Sequence, residues 1–167
     1  MKKRVISMLC SLLIVFGMMF VTVIDVQAQD GEEKIVDGSY LTHKEKSTGS
    51  TSSNSLLRGK YLMDGDSIIS KAGSGRIYVY GATTADLTVD YLAVIVYVDR
   101  YDEQEDGWDQ IDAWVKSAED TYYVSTAKTL RVEGGYYYRV RSEHFAGNED
   151  DRPYDSALSL TDGIWID

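Results

Sequence analysis

Cysteine, histidine and proline are almost missing from this chain of 167 residues, which has one Cys, two His and one Pro. Cys10 lies inside an apolar N-terminal stretch that reads as a removable leader, so the exported remainder has neither a disulfide nor a thiol nucleophile. Its domain must be stable from its core alone. Zinc needs several His or Cys ligands at short spacing, which this inventory does not supply. A Ser–His hydrolase can draw only on His43, in a polar stretch, or His144, near a strand end, and no serine-elbow motif accompanies either. Positive charge is also short: 17 Lys+Arg face 27 Asp+Glu, a net charge of −10. Nucleic acid and anionic lipid both need a basic face to release counterions, so neither is an expected partner. No internal repeat is visible, which removes solenoids and propellers.

What is present begins with a leader. Lys2, Lys3 and Arg4 precede the apolar stretch Val5–Ile24, and Val26-Gln27-Ala28 gives the small-x-small pattern of a signal-peptidase site. Residues 1–28 therefore read as a signal peptide cleaved after Ala28, and the product as secreted and extracellular, without a stable membrane anchor. A retained span is the alternative, since about 20 apolar residues suffice to cross a bilayer. Cleavage would leave 14 Lys+Arg against 26 Asp+Glu, a net charge of −12. Residues 29–56 are polar, and Lys44–Asn54 offers nothing to a core, so this segment reads as a flexible tether ahead of a domain at 57–167. No sorting signal follows Gly163–Asp167, and covalent wall anchoring is not expected.

After Leu56, β-branched and aromatic residues alternate with Gly, Asp, Ser and Asn clusters, the pattern of consecutive antiparallel strands. Strands are expected near Leu57–Met63, Ser67–Lys71, Gly75–Tyr80, Val89–Tyr101, Trp108–Lys116, Thr121–Ser125, Lys128–Glu133, Tyr136–Phe145, Ala157–Leu160 and Gly163–Ile166. Over Trp108–Glu119 a helical spacing competes with strand alternation, and the strand is preferred. The expected fold is an all-β, antiparallel sandwich. Tyr91–Val98 is apolar on both faces, so its second face needs cover from the chain itself or from a partner.

In Leu130-x-Val132-x-Gly134-x-Tyr136-x-Tyr138-x-Val140, alternation passes through a Gly-Gly corner, and the segment resembles the tyrosine corner of immunoglobulin-like and fibronectin type III-like sandwiches. That resemblance makes Tyr136 the corner tyrosine, with Tyr138 and Val140 inward and Tyr137, Arg139 and Arg141 outward. Residues 57–167 also resemble a family of small secreted proteins of Gram-positive bacteria that carries a domain-of-unknown-function label. The stretches concerned are Leu57-Arg-Gly, Gly75-Arg-Ile-Tyr-Val-Tyr-Gly, Ala93-Val-Ile-Val-Tyr-Val-Asp-Arg, Tyr122-Tyr-Val-Ser-Thr, Val132-Glu-Gly-Gly-Tyr-Tyr-Tyr-Arg-Val-Arg and Thr161-Asp-Gly-Ile-Trp. The resemblance implies export and one domain, and it transfers no site residues.

Among functional candidates, no catalytic residue is nominated. Paired carboxylates would suit a polysaccharide hydrolase, and Asp90 beside Tyr91 is the acid with the most apolar neighbours, though a solvated strand-edge role is preferred. The loop containing Asp102, Glu103, Glu105, Asp106 and Asp109 is a candidate calcium site, because calcium takes several oxygen ligands on inter-strand loops. Solubilising charge is the alternative there. Adjacent tyrosines within one strand must point to opposite faces, so some of the 13 Tyr rings face outward. Trp108, Trp114, Tyr122, Tyr123, Tyr137 and Arg139 are the candidate ligand-binding surface, suited to a glycan or a protein. Cross-strand pairing of the same rings is the structural alternative. The expected function is a non-catalytic binding module. A hydrolase using paired acids, or a structural or immunity-type protein with one protein partner, is the alternative.

Overall fold

Ile and Val at alternate positions drive the strands of this chain, and Asp or Gly at positive φ turns them. A computed structural model describes residues 34–51 and 59–167. The described chain is all-β, with eleven strands and one short 3-10 turn at Glu149–Asp151. The strands are β1 Ile35–Val36, β2 Ser39–Thr42, β3 Lys46–Ser50, β4 Leu62–Lys71, β5 Arg76–Val89 and β6 Tyr91–Asp102. Then follow β7 Gly107–Ala118, β8 Thr121–Arg131, β9 Tyr136–Gly147, β10 Asp155–Leu160 and β11 Gly163–Ile166. The larger sheet runs β1-β2-β11-β9-β6-β7, with β10 pairing the far half of β9, and the smaller runs β3-β4-β5-β8. All pairings are antiparallel except β2 with β11.

The two sheets close on one apolar cluster. Ile69, Ile77 and Val79 of the smaller sheet pack with Leu92, Val94, Val96, Val98, Val140 and Ile164 of the larger, a sandwich-like arrangement. β6 lies between β9 and β7, so Tyr91–Val98 is an interior strand whose even-numbered residues 92–98 fill this core. Polar groups enter the core as a set. His144 Nδ1 lies 2.9 Å from Thr83 Oγ1 and Nε2 lies 2.7 Å from Ser159 Oγ, which is 2.6 Å from Ser67 Oγ. Gly65 makes room for this imidazole, since a Cβ there would stand 2.3 Å from the His144 ring. Ser159 and His144 are together but fully buried, beyond reach of any substrate.

Several expected boundaries change. The tether expected at 29–56 is corrected over Ile35–Ser50, which forms β1, β2 and β3, so the folded domain begins well before residue 57. Besides their ladders and the buried Val36, these strands hold by hydroxyls: Ser39 Oγ donates to Thr161 O, Thr42 Oγ1 to Gly163 O, and Asp162 N donates to Ser47 Oγ. Asp37 and Gly38 both take positive φ, the two-residue turn that matches strand twist. The expected breaks inside β5 and β8 disappear, because Gly81–Thr84 ladders directly with Tyr123–Thr126. The signal peptide at 1–28, and Leu57 and Arg58 of the first expected strand, lie outside the described residues.

Candidate functional site

Along β9 the side chains alternate: Tyr138, Val140, Ser142 and His144 point inward, and Tyr137, Arg139 and Arg141 outward. Register then builds a row of rings on the outer face. Tyr137 pairs with Trp165 of β11, with ring centres 4.9 Å apart, and Tyr101 of β6 stands 6.4 Å from Tyr137. Trp108, paired with Tyr101 across β6 and β7, extends the row at 5.6 Å. His43, just after β2, places Nε2 3.1 Å from Tyr137 Oη and its ring 5.8 Å from Trp165. Beside these rings opens a cleft of about 310 Å³ lined by Lys34, Leu41, Tyr101, Glu103, Gly135, Tyr136, Tyr137 and Trp165.

The chemistry of its walls is aromatic with one ion pair at the edge. Lys34 Nζ is 2.6 Å from Asp106 Oδ1 and donates to Tyr101 Oη at 2.8 Å; Tyr101 Oη in turn donates to Asp106. Hydrogen bonds from Lys34 and then Tyr101 hold the Asp106 carboxyl below its ordinary range, and the same contacts raise the Lys34 ammonium. Burial raises the Tyr137 phenol. Behind the row, Asp99 on β6 accepts from Arg139 at 3.1 Å and Arg141 at 3.3 Å. Arg139 also donates to Asp37 O and Ser39 Oγ and lies 4.4 Å over the Trp108 ring, whose Nε1 donates to Val36 O. This clasp ties the β1–β2 hairpin over the sheet and so sets Lys34 and Leu41 at the cleft.

Of the six residues expected to bind ligand, Tyr137 lines the cleft, and Trp108 and Arg139 stand behind it in the clasp. Arg139 is 5% exposed and ion-paired with Asp99, so its guanidinium is not presented at the surface with the other expected residues. Trp114 faces inward, its Nε1 donating to Thr126 Oγ1 at 3.1 Å. A bulge where β7 passes Val98 and Asp99 puts Trp108 and Trp114 on opposite faces, so simple alternation fails there. Tyr122 and Tyr123 lie on the smaller sheet, Tyr123 sharing a 2.7 Å hydroxyl contact with Tyr80. Tyr101, Tyr136, Trp165 and Lys34 were not among the expected residues. The alternation Tyr97-x-Asp99-x-Tyr101 carried a signal for the first.

The calcium loop is also corrected. Among the described residues no group of three or more His, Cys, Asp or Glu is placed to hold a metal ion. Asp102 Oδ1 instead accepts from the backbone of Gln104 and Glu105, Asp106 faces Lys34, and Glu103 lines the cleft, while Glu105 and Asp109 are exposed. Asp90 is exposed, accepting from Glu149 N at 3.0 Å, as the strand-edge reading expected. Tyr138 Oη, and not that of Tyr136, donates back to the upstream backbone at Glu133 O, at 2.8 Å.

Among known protein families, residues 28–153 match a family of unknown function (DUF6147), and the chain belongs to that family. No curated protein and no solved structure matches it.

Proposed function

We propose that this member of the DUF6147 family is a secreted, non-catalytic binding module that takes a glycan or protein ligand in the aromatic cleft. The observation that carries the reading is the convergence of Tyr101, Tyr136, Tyr137 and Trp165, from three different strands, around one cleft of about 310 Å³. Such rings give large amphipathic contact at small entropic cost. Export rests on the leader pattern of residues 1–28 and the absence of cysteine after it. An immunoglobulin-like or fibronectin-like ancestry is supported by the Tyr138 bond back to Glu133. Hydrolysis is less well served: it needs a protonated acid, and the ion pair with Lys34 keeps Asp106 ionised.

Binding of the exported protein to cell-wall glycans and to surface proteins is the test, with Tyr137→Ala and Trp165→Ala as variants. Each is expected to weaken retention about tenfold with no product released. Turnover abolished by Glu103→Gln or Asp106→Asn would overturn the reading.

A further inference from the structure

An ammonium group stands at the rim of the cleft. Lys34 Nζ stands 5.4 Å from the centre of the Tyr101 ring because it sits beyond the phenol oxygen, 2.8 Å from Tyr101 Oη and beside Asp106, rather than over the ring face. The Lys34 and Asp106 side chains are 51% and 60% exposed, so water competes for both partners and the contact is readily exchanged. The ring geometry selects among ligands. Tyr137 meets Trp165 at 65° and Tyr101 at 73°, so successive rings turn against one another. That arrangement makes walls rather than the flat platform on which a sugar stacks. Walls of this kind attract a compact cation through the ring quadrupoles, most favourably a methylated ammonium, whose desolvation costs little. Glu103 lines the same cleft, and the net charge of −10 draws cations to the surface.

We infer that the cleft is an ammonium-binding site whose occupant within the chain is Lys34 and whose external ligand is a methylated ammonium group, free or carried on a partner's lysine. The inference rests on the binding-module reading and narrows it to one chemistry. Lys34 then acts as a built-in competitor: an external cation must displace it, which lowers apparent affinity by the fraction of time it is seated.

Two-dimensional amide spectra of the protein test this, with the Trp165 indole N–H as reporter. The probes are tetramethylammonium, a peptide bearing trimethyllysine, and an N-acetylglucosamine oligomer. Tetramethylammonium is expected to shift the Trp165 indole. Tighter binding of the peptide than of the free ion identifies a partner's side chain as the source, and equal binding identifies the free ion. Lys34→Ala is expected to tighten ammonium binding about threefold or more, and Glu103→Gln, an exposed and conservative change, to weaken it about threefold. A response to the saccharide and none to either ammonium overturns the inference and leaves the binding module standing. No response to any probe overturns both, and weaker ammonium binding by Lys34→Ala overturns the competitor role.

Discussion

On its inward face β9 carries Ser142 and His144 between two sheets, and on its outward face Tyr137, Arg139 and Arg141, of which Arg139 lies under the two-stranded β1–β2 strap. The inward hydroxyls and imidazole form a closed set, each polar atom satisfied by another within the core. Outward, Asp99 Oδ1 is buried without a partner among the described residues, although its other oxygen takes two arginines. The inward set has no opening and therefore fixes the packing of the sheets without serving a ligand. The outward set is sealed only at the clasp, and the neighbouring rings of Tyr137 and Trp165 are left facing a cleft. One strand thus contributes packing from one face and, from part of the other, a ring that lines the cleft, and the boundary between them is the β1–β2 hairpin.

The largest expected effect breaks the outward face. Asp99→Ala leaves Arg139 buried without its carboxylate, a loss of about 3–5 kcal/mol by the cost of stranding one partner of a buried pair. Urea unfolding measures it. Replacing both, as Asp99→Leu with Arg139→Met, is expected to recover most of that loss, because the desolvation of both charges goes with them. A loss under about 1 kcal/mol for Asp99→Ala would mean that the outward face is open to water, and the contrast with the core would fall.

The inward face is probed by pH. Desolvation lowers the His144 pKa from 6.5 to about 4, so the folded protein holds a neutral imidazole that the unfolded chain would protonate. Stability from this group is complete above pH 6.5 and is lost as pH falls toward 4, about 3 kcal/mol across that window. Urea midpoints between pH 7.5 and 4.5 are expected to fall steeply in the native sequence and weakly in His144→Gln. Equal slopes would place a solvated imidazole at that site.

The existence of strands β4 to β11 is legible in their β-branched and aromatic runs between Gly, Asp and Ser clusters, but the unbroken lengths of β4, β5 and β8 are not, because polar residues continue those ladders. Strands β1 to β3 escape the sequence reading because all their buried residues but Val36 are hydroxyls, Ser39, Thr42 and Ser47, and a hydroxyl that bonds backbone leaves no trace in hydropathy. Asp37-Gly38 was a readable hairpin signal, but it sat in a segment judged by its polarity. The cleft was less legible still. Tyr137 meets Trp165 only through the pairing of β9 with β11, and Lys34 arrives from the far end of the chain, so neither neighbour is encoded nearby. The corner tyrosine was placed at Tyr136, two residues from Tyr138, a difference that alternation alone does not resolve because both positions have the same parity.

The smallest effect compares adjacent tyrosines under the same chemical change. Tyr138→Phe removes the 2.8 Å bond to Glu133 O from a residue that is 1% exposed, and about 1 kcal/mol of stability is expected to go with it. Tyr137→Phe removes only the contact with His43, which lies in solvent, while its ring keeps its place 4.9 Å from Trp165. Its expected cost is within about 0.5 kcal/mol, the range of surface changes. Because the ring remains, ligand affinity at the cleft should also change little, whereas Tyr137→Ala should lower it. Matched urea midpoints for the two phenylalanine variants decide the point. If Tyr137→Phe costs as much as Tyr138→Phe, the outward phenol is a structural strut tying His43 to the sheet, and the division of β9 into a packing face and a cleft-lining face moves one residue toward packing.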